Sequence, residues 1–384
     1  MAQIGAEAIR RNLLAIRGRT GEGIPVCAAV KADAYGHGLG VVLPVLAEAG
    51  VEQVAVANLD EATNVRELGW HRPILCFGAP LAGASEREVR ERCRQAAAGD
   101  VWVTVSSAEE ARTLAEEAAR LHRAAHVEVK VDTGMGRMGV SCEEAVETIA
   151  DLAHCSTLIV EGVYTHFATA DEADLTFARE QLSRFIALRD ELQRRQVPVR
   201  AFHAANSAAI FRLPEACRGF DVVRPGICLY GYWDGPAGER PAELVPAMRV
   251  VAALAAVRRV PAGHRVGYGG TVTTSRPSVL GVVPIGYADG YRRLLSNDAA
   301  MTLPAVRGRT PRSVPVVGRV SMDQTILDLT AAGDVRPGDP VVVIDDDPAA
   351  PNSVEAIARK LGTITYEITC LIGQRVRRVS VPGQ

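Results

Sequence analysis

The most informative chemical feature of the sequence is a lysine that directly follows a short apolar run. Lys31 comes after the apolar residues 27–30 and precedes the tight polar turn Tyr35-Gly36-His37-Gly38. Most lysines are exposed, because lysine is seldom buried without a partner. If the apolar run is a strand of a barrel, however, Lys31 lies at the mouth of that barrel. A desolvated amine there is a candidate for forming a Schiff base with a carbonyl compound.

A second group of residues could bind an anion. Asn206 and Ser207 precede apolar residues and indicate the start of a helix, and helix N-termini bind phosphate. Gly226, which follows Arg224 and a proline, would let the backbone approach an anion closely. Each signal alone is also explained by an ordinary helix cap or turn. Facing Lys31, the two together predict a phosphorylated cofactor that reacts with an amine, namely pyridoxal 5′-phosphate (PLP).

Other charged and aromatic side chains follow the same kind of run or lie in glycine-rich turns. His166 follows a strand-like run and is as consistent with a structural histidine as with a role at the same site. Arg137 offers a planar fork that suits a carboxylate, and the nearby Lys130 needs a counter-charge if it points inward. Tyr268 and Tyr287 lie in glycine-rich turns that ordinary β-turns would also explain.

The elements that must position these residues form a regular alternation over the first 240 residues. Eight short apolar runs are found, at Val26–Val30, Val54–Ala57, Ile74–Phe77, Val101–Val105, Val127–Val131, Ile159–Tyr164, Ala201–His203 and Val222–Leu229. Helical patterns lie between them, at Gly40–Ala49, Asp60–Leu68, Ala108–His122, Cys142–Leu152 and Phe177–Arg195. Eight strand–helix units predict an α/β protein with a TIM-like (β/α)₈ barrel, although a doubly wound open sheet would give similar local signals.

After about residue 240 the pattern changes to strand-like runs separated by glycine and proline. These runs are Val245–Val260, Ser278–Ile285, Val314–Val320, Thr325–Leu329 and Pro340–Ile344. One helix is predicted there, at Ser353–Leu361, with Asn352 or Ser353 as its cap. We therefore expect two domains, a barrel over residues 1–238 and a mostly β domain over residues 239–384.

Composition excludes several classes of function. The 384 residues include 43 Lys and Arg and 45 Asp and Glu, a formal net charge of −2, which disfavours nucleic-acid binding. Apolar stretches such as Val250–Val257 are far shorter than the roughly 20 residues needed to span a membrane. The arginine-containing N-terminus predicts an amphipathic helix, so we expect a cytoplasmic protein with no membrane partner. The eight cysteines lack CxxC spacing, so neither a metal site nor a disulfide framework is expected.

Nine strings of residues resemble the alanine racemase family. In chain order they are AVKADAYGHG, KVDTGMGRMG, YTHFATAD, HAANSAA, VRPGICLYG, VGYGGT, PIGYADGYRR, VGRVSMDQ and TYEITC. One such string would be weak evidence, but nine in the order of the family, from residue 31 to residue 370, are highly specific. The resemblance departs at the N-terminus, where Ala2–Gly5 precede the first helix and the family often has a longer opening strand.

The resemblance implies a PLP-dependent homodimer with shared active sites that interconverts L- and D-alanine and supplies D-alanine for peptidoglycan. It implies that Lys31 holds the cofactor and acts as one acid/base, and that Tyr268 of the other subunit acts as the second. The implied supporting residues are His166, Arg224 beside the pyridine nitrogen, and Lys130, which is carbamylated in many members. The other implied contacts are Tyr35, Asn206, Ser207, Gly226, Ile227 and Tyr366 to the cofactor, Arg137 and the backbone of Met322 to the substrate carboxylate, and Tyr287, Arg293 and Arg319 along the corridor by which substrate enters.

Related proteins with other functions share some of these features. Broad-specificity and serine racemases share most of these motifs, so the breadth of substrates stays open. Barrel-type decarboxylases use a glycine-rich phosphate loop and a cysteine of the second domain, whereas this sequence has no GGG tract and only Cys370 in its C-terminal part. Non-catalytic PLP carriers with the same barrel lack a second domain. A barrel without a cofactor would leave Lys31 and Ser207 unexplained.

Overall fold

Strands and helices alternate over the first 212 residues of the protein. The computed structural model describes residues 1–21, 23–78, 82–83, 85–236 and 238–382. The elements in chain order are β1 (Ala2–Gly5), α1 (Ala6–Thr20), β2 (Cys27–Ala29), α2 (Lys31–Tyr35), α3 (Leu39–Glu48), β3 (Gln53–Val56), α4 (Leu59–Glu67), β4 (Ile74–Cys76), α5 (Glu86–Ala98), β5 (Trp102–Val105), α6 (Ala108–Arg120), β6 (Ala125–Asp132), β7 (Val140–Ser141), α7 (Cys142–Ala153), β8 (Leu158–Tyr164), α8 (Thr176–Arg194), β9 (Ala201–His203) and α9 (Ser207–Arg212).

Strands β2 to β9 form one parallel sheet that closes on itself. Their order is β2-β3-β4-β5-β6-β8-β9, with the two-residue β7 attached to β6. The gap between β9 and β2 is filled by an extended segment in which Val223 makes a parallel bridge to Val26. On the other side of that segment, the amide of Arg224 donates to the carbonyl of Ala205. The TIM-like barrel that the sequence predicts is therefore confirmed.

The eighth strand of the barrel is shorter than predicted. The run Val222–Leu229 makes a single bridge, at Val223, and a 3₁₀ helix then occupies Ile227–Tyr230. Backbone pairing with β2 reaches Pro225, whose carbonyl accepts the N–H of Ala29, but Pro225 has no N–H to donate to its other neighbour and no pairing with β2 follows it. The early end of the strand turns the chain across the mouth of the barrel, where Gly226 lines a cavity.

Burial on both faces explains why the barrel strands are apolar throughout. Cys27, Ala55 and Leu75 form a small buried cluster of their own, separate from the main core that the neighbouring strand residues share with the helices. Because successive residues of a strand point to opposite faces, this cluster lies on the inner face of the barrel. Helices α4, α5, α6 and α7 each begin after an Asn or Ser whose side chain accepts a hydrogen bond from the backbone N–H three residues later.

The second half of the chain is mostly β structure, as predicted. Its elements are β10 (Met248–Ala253), β11 (Ala256–Val260), β12 (Arg265–Val266), β13 (Val272–Thr273), β14 (Ser278–Val283), β15 (Ala300–Leu303), β16 (Arg312–Pro315), β17 (Thr325–Asp328), β18 (Pro340–Ile344), α10 (Val354–Leu361), α11 (Thr365–Cys370) and β19 (Arg378–Val381). The strands form a six-stranded sheet in the order β16-β15-β18-β10-β1-β19, a three-stranded sheet in the order β11-β14-β17, and the pair β12-β13.

Some predicted boundaries in this half are wrong. The predicted run Val245–Val260 is two strands, because the chain bends after Ala253 and β11 pairs with β14 in a different sheet. The predicted helix is confirmed as α10, and Ser353 is its cap. The sequence patterns did not reveal the short helix α11, which carries Tyr366.

The first strand connects the two halves of the protein. Residues of β1 pair in antiparallel fashion with β10 and in parallel fashion with β19, so that Ile4 lies between Met248 and Ser380. The expected division into residues 1–238 and 239–384 remains a proposal. Although β1 belongs to residues 1–238, it lies in the six-stranded sheet of the second half.

Three further expectations concern cysteines, membranes and metals. All eight cysteines are free thiols, and five of them are buried. No helix in the described part of the chain has the length and apolar character that crossing a membrane requires. Among the same residues, no group of three or more His, Cys, Asp or Glu side chains is arranged to hold a metal ion.

Candidate active site

A cavity of about 260 Å³ opens at the carboxyl ends of the barrel strands. In parallel barrels the active site lies at this end, because the loops that follow the strands converge there. Ten residues singled out from the sequence line this cavity: Lys31, Tyr35, Lys130, Arg137, His166, Asn206, Ser207, Arg224, Gly226 and Tyr366. Lys31 and Tyr366, the first and last of these residues, are 335 positions apart in the chain, yet both line the same cavity.

Lysine is rare in this protein, which makes its placement informative. The chain has three lysines, Lys31, Lys130 and Lys360, and its other basic residues are arginines. Two of the three line the cavity, whereas Lys360 forms an ion pair with Asp298 on the second domain. Arginine cannot serve as a neutral amine because it stays protonated. The cavity therefore holds most of the lysine amines of the protein.

Lys31 begins a strained turn at the end of β2. The four residues 32–35 all have left-handed backbone conformations, with φ between 52° and 56°. Such a conformation costs a non-glycine residue about 1–2 kcal/mol, so the surrounding structure must hold it in place. Glu61 does so by accepting the N–H of Ala32 and the N–H of Ala57, both at 2.7 Å. The turn directs both Lys31 and Tyr35 to the cavity.

A buried histidine fixes the same turn from the other side. Nδ1 of His37 donates to the carbonyls of Ala34 and Tyr35, each at 3.0 Å. Its ring stacks on Tyr230 with 4.4 Å between the ring centres. Burial lowers the pKa of His37 to about 4, so its ring is neutral at physiological pH. The sequence showed His37 as part of a polar turn but gave no indication of this role.

The amine of Lys31 is in an environment that favours its neutral form. Burial lowers the pKa of Lys31, and the positive charge of Arg137 lowers it further. A lysine with a lowered pKa is more often unprotonated near neutral pH, which makes it a nucleophile or a base. The carboxylate of Glu61 opposes this effect but does not cancel it.

Ser207, Tyr35 and Gly226 form a cradle in the lining of the same cavity, where two hydroxyl groups meet beside a glycine. Oγ of Ser207 accepts the N–H of Gly226 at 2.8 Å and that of Cys228 at 3.4 Å, so its hydroxyl proton is the donor that Ser207 itself offers. A Cβ atom at Gly226 would lie 2.5 Å from Oη of Tyr35, so only glycine allows the backbone this close. Burial raises the pKa of Tyr35, so its hydroxyl stays protonated and can also donate.

The neighbouring cofactor candidates play different structural parts. Oδ1 of Asn206 accepts the N–H of Ala209 at 3.0 Å and so caps α9. The side chain of Ile227 is buried and does not line the cavity. Tyr366 lies beside Tyr35, with 5.7 Å between the ring centres, and closes this side of the cavity.

Lys130 and His166, which also line the cavity, lie within the influence of the positive charges of Arg137 and Arg224. Nζ of Lys130 donates to the carbonyl of Met138 at 2.7 Å, and burial lowers the pKa of Lys130 to about 8, with the charge of Arg137 as the next contribution. Burial, followed by the charges of Arg224 and Arg137, holds the pKa of His166 well below its usual range, so this ring is neutral.

The charge balance of the cavity predicts the kind of ligand that it binds. Lys31, Lys130, Arg137 and Arg224 line it, and among the described residues no carboxylate does. A lining that carries basic side chains and no carboxylate favours an anionic ligand over a cationic one. The arrangement therefore suits a ligand with two anionic groups, for example a phosphate at the Ser207 cradle and a carboxylate near Arg137.

Apart from Tyr366, the predicted site residues of the second domain do not line this cavity. Tyr268 is 69% exposed and Met322 is 53% exposed, and Tyr287, Arg293 and Arg319 are exposed as well. The segment 318–324 joins these residues into one surface. Gly269 beside Tyr268 packs against Arg319, and the amides of Tyr287 and Ala288 donate to the carbonyls of Ser321 and Met322. We call the five exposed residues the tyrosine surface.

Sequence reasoning missed several residues that shape the cavity. Phe77 and Tyr164 contribute aromatic walls, and Ala57 and Gly78 contribute small ones. Glu128 and His203 lie beneath Arg224, buried inside the barrel. The available signal was the sequence VEVKVD, in which a glutamate occupies a strand position that alternates with buried valines.

Comparisons with known proteins agree over nearly the whole chain. Residues 4–234 match the family model described as the N-terminal domain of alanine racemase, and residues 247–380 match its C-terminal domain. The alanine racemase of Desulfosudis oleivorans is 39% identical over an alignment of 392 residues that covers 100% of this chain and 96% of that protein.

Solved structures of alanine racemases have the same fold. The crystal structure of the alanine racemase from the D-cycloserine-producing Streptomyces lavendulae has a TM-score of 0.88 and 34% sequence identity, covering 100% of this chain and 97% of that one. The alanine racemase of Bartonella henselae, solved with covalently bound pyridoxal phosphate, has a TM-score of 0.82 and 28% identity, covering 99% of each chain. With its barrel, its second β domain and its full-length relatives, the chain belongs to the alanine racemase family.

Proposed function

We propose that this protein interconverts L-alanine and D-alanine with PLP as its cofactor, and that Lys31 and Tyr268 are its two catalytic residues. The observation that carries the proposal is one cavity that is lined by Lys31 and by the hydroxyl-bearing Ser207 and Tyr35, with no carboxylate among the described lining residues. Its physiological role would be the supply of D-alanine for peptidoglycan from the cytoplasm.

The residues present fit PLP well. Ser207, Tyr35 and Gly226 would hold the phosphate. The two hydroxyls would donate to it, the N–H of Gly226 fixes Oγ of Ser207, and a Cβ at Gly226 would close the point where they meet. Asn206, Ile227 and Tyr366 would complete the contacts. Lys31 would bind the cofactor covalently through its amine. When bound, PLP acidifies the Cα proton of an attached amino acid by withdrawing electrons from it. The related Bartonella protein supports this assignment, since it was solved with covalently bound pyridoxal phosphate.

The reaction requires a proton to leave one face of the substrate Cα and another to arrive at the opposite face. Lys31 would act on one face, and its lowered pKa supports a role as a base. Arg137 would bind the substrate carboxylate through its planar guanidinium, together with the backbone of Met322. Arg224, which stays cationic, would face the pyridine nitrogen and disfavour its protonation, which limits side reactions such as transamination.

Lys130 would act indirectly, as a carbamate. Its amine would attack carbon dioxide, forming an N–C bond and releasing one proton, and the cation would become an anion able to pair with Arg137. The pKa of about 8 supports this step, because a substantial fraction of the amine is neutral near physiological pH. The resulting anion would orient Arg137 for the substrate.

Tyr268 would act on the other face, from the second subunit of a homodimer. Its exposure, together with its absence from the cavity of its own chain, supports this arrangement. The tyrosine surface would then cover the cavity of the partner, with Tyr287, Arg293 and Arg319 along the corridor by which substrate enters. Because the ring of His166 is neutral, one of its nitrogens can donate and the other can accept a hydrogen bond, so His166 could pair with the phenol of Tyr268.

The test is exchange of the α-proton of L- and D-alanine in deuterated buffer, with serine and lysine as competing substrates. We expect exchange from both enantiomers of alanine after PLP is added, and none with the Lys31→Ala variant. If serine exchanged its α-proton as rapidly as alanine, the proposed substrate would be a broader set of amino acids. No exchange with any amino acid would refute the proposal.

The site of cofactor attachment can be tested separately. Borohydride reduction fixes PLP to the amine that it has joined, and the chain offers only three lysines. Peptide mapping should find the label at Lys31. Label at Lys130 or Lys360 instead would contradict the assignment.

A further inference from the structure

Arg224 rests on two other ionisable side chains inside the barrel. Nη1 of Arg224 donates to Nδ1 of His203 at 2.7 Å, and Nε2 of His203 lies 2.5 Å from Oε2 of Glu128. The side chains of His203 and Glu128 are 1% and 2% exposed. Glu128 comes from β6 and His203 from β9, so the chain of contacts crosses the interior of the barrel below the cavity.

The direction of each hydrogen bond in this chain is fixed by chemistry. A guanidinium can only donate, so Nδ1 of His203 must accept. Burial lowers the pKa of His203 despite the opposing charge of Glu128, so the ring is neutral and its one proton is on Nε2. That proton is donated to Glu128. The chain therefore has one positive charge on Arg224 and one negative charge on Glu128, with a neutral ring between them.

The rest of the guanidinium is held as firmly. Nη2 of Arg224 donates to the carbonyl of Thr165 at 2.6 Å and to that of Ala204 at 3.1 Å. The ring of Tyr164 lies 5.0 Å from Cζ of Arg224 and stacks on His203. Three of the five N–H groups of Arg224 are thus used by described residues. The Nε hydrogen and one Nη1 hydrogen are left for the cavity that Arg224 lines.

We propose that Glu128 and His203 are positioning residues that act through Arg224. Glu128 holds the ring of His203 in the tautomer that accepts from Arg224, and this fixes the direction of the guanidinium hydrogens that remain for the cavity. With PLP bound, Arg224 would then offer its hydrogen bond to the pyridine nitrogen in a fixed direction. This inference rests on the proposed function, in which Arg224 faces that nitrogen.

The energetics of buried charges support a directional role. A buried ion pair or triad often contributes no net stability relative to well-packed apolar residues, because taking charges out of water is costly. An apolar pair at positions 128 and 203 could fill the same space. What it could not do is accept the Nη1 hydrogen of Arg224 and so fix the orientation of the guanidinium.

The chain offers a matched control for this pair. Glu161 of β8 also accepts a hydrogen bond from a histidine of a barrel strand, with 2.6 Å between Oε1 and Nδ1 of His126. Glu161 is almost as buried as Glu128, but its other partner is Arg200, and none of the three residues lines the cavity. Glu161→Met removes the same charge and the same kind of acceptor without contacting Arg224.

The experiment uses the protein loaded with PLP that carries ¹⁵N in its ring. We expect wild type and Glu161→Met to share one ring-nitrogen resonance, and Glu128→Met, which has no oxygen to accept from His203, to move it towards the position of a pyridine that accepts no hydrogen bond. We also expect kcat of Glu128→Met for alanine to fall roughly tenfold, with little change in KM, by analogy with the loss of partners that orient a metal ligand. If Glu128→Met does not fold, the same measurement on His203→Leu decides.

The possible outcomes separate this inference from the function on which it rests. A wild-type protein that binds no PLP would overturn the proposed function and this inference with it. Bound PLP whose resonance is unchanged in the Glu128 and His203 variants would overturn this inference alone. Variants that lowered only the temperature of unfolding would also overturn it, because that is the effect of a purely structural pair.

Discussion

The close approach at Gly226 leads to a quantitative prediction about cofactor binding. A Cβ atom added at Gly226 would lie 2.5 Å from Oη of Tyr35 and 3.1 Å from its Cζ. The ring of Tyr35 is buried between Tyr230 and Tyr366, with ring centres 5.2 Å and 5.7 Å away, so it cannot simply turn aside. Gly226→Ala should therefore displace the hydroxyl of Tyr35 from the cradle.

The size of the effect follows from the bond that is lost. A hydrogen bond to a charged group contributes about 1.5–3 kcal/mol. Since about 1.4 kcal/mol corresponds to a tenfold change in affinity, Gly226→Ala should weaken PLP binding roughly 10- to 100-fold. Tyr35→Phe removes the same hydroxyl without a clash and should have an effect in the same range.

The assay is titration of the apoprotein with PLP, followed by the change in absorbance on binding. The matched control is Gly18→Ala in α1, where an added Cβ would meet no atom within 4 Å and where alanine favours the helix. In a Tyr35→Phe background, Gly226→Ala should cost less than in wild type, because both changes act on one hydroxyl. A Kd for Gly226→Ala within about twofold of wild type would refute the cradle as the phosphate site.

Two further predictions concern titrating groups. With ¹³C-labelled bicarbonate, wild type and Lys360→Gln should show a carbamate resonance that Lys130→Gln lacks. Because the pKa of Lys130 is about 8, the fraction of its amine that is neutral rises roughly fivefold between pH 7 and 8, and the resonance should grow with it. A resonance that persists in Lys130→Gln would exclude this lysine. Burial lowers the pKa of His37 to about 4 in the folded protein. As pH falls from about 6.5 to 4, His37 therefore takes up a proton in the unfolded chain but not in the folded protein. The free energy of unfolding should fall by about 3 kcal/mol over that window. Denaturant unfolding of wild type and His37→Gln at several pH values checks this, and equal pH dependences would contradict it.

The barrel could be predicted because its signal is local and repeated. Each buried strand is a short apolar run, and each helix between strands has its own periodicity, so the alternation is visible in the sequence. The site followed from the same pattern, since residues after the carboxyl ends of parallel strands converge. This reasoning predicted one site for Lys31, His166 and Arg224, and all three line one cavity although they are far apart in the chain.

The remaining features depend on contacts that the sequence does not reveal. Nothing in the residues 32–35 favours a left-handed backbone, because the turn is held by Glu61 and His37 from outside it. The opening strand β1 finds its partners almost 250 and more than 370 residues away. The proposed placement of Tyr268 at the cavity of a partner would depend on a second copy of the chain, about which one sequence carries only indirect information.

Hybrid dimers test the central claim, that each active site combines Lys31 of one subunit with Tyr268 of the other. Two differently tagged chains are co-expressed, and the dimer carrying both tags is purified, so that no parent dimer remains. Pairing a Lys31→Ala chain with a Tyr268→Phe chain leaves one site intact if sites are shared. The hybrid should then have about half of the wild-type activity, although each parent has almost none.

The reciprocal hybrid pairs a wild-type chain with a chain that carries both substitutions. Shared sites leave neither site intact in that hybrid, so it should be almost inactive. Sites confined to one chain predict the reverse, with an inactive first hybrid and about half of the wild-type activity in the second. Activity in the first hybrid and its loss in the second is the result that this account predicts, and the reverse pattern would contradict it.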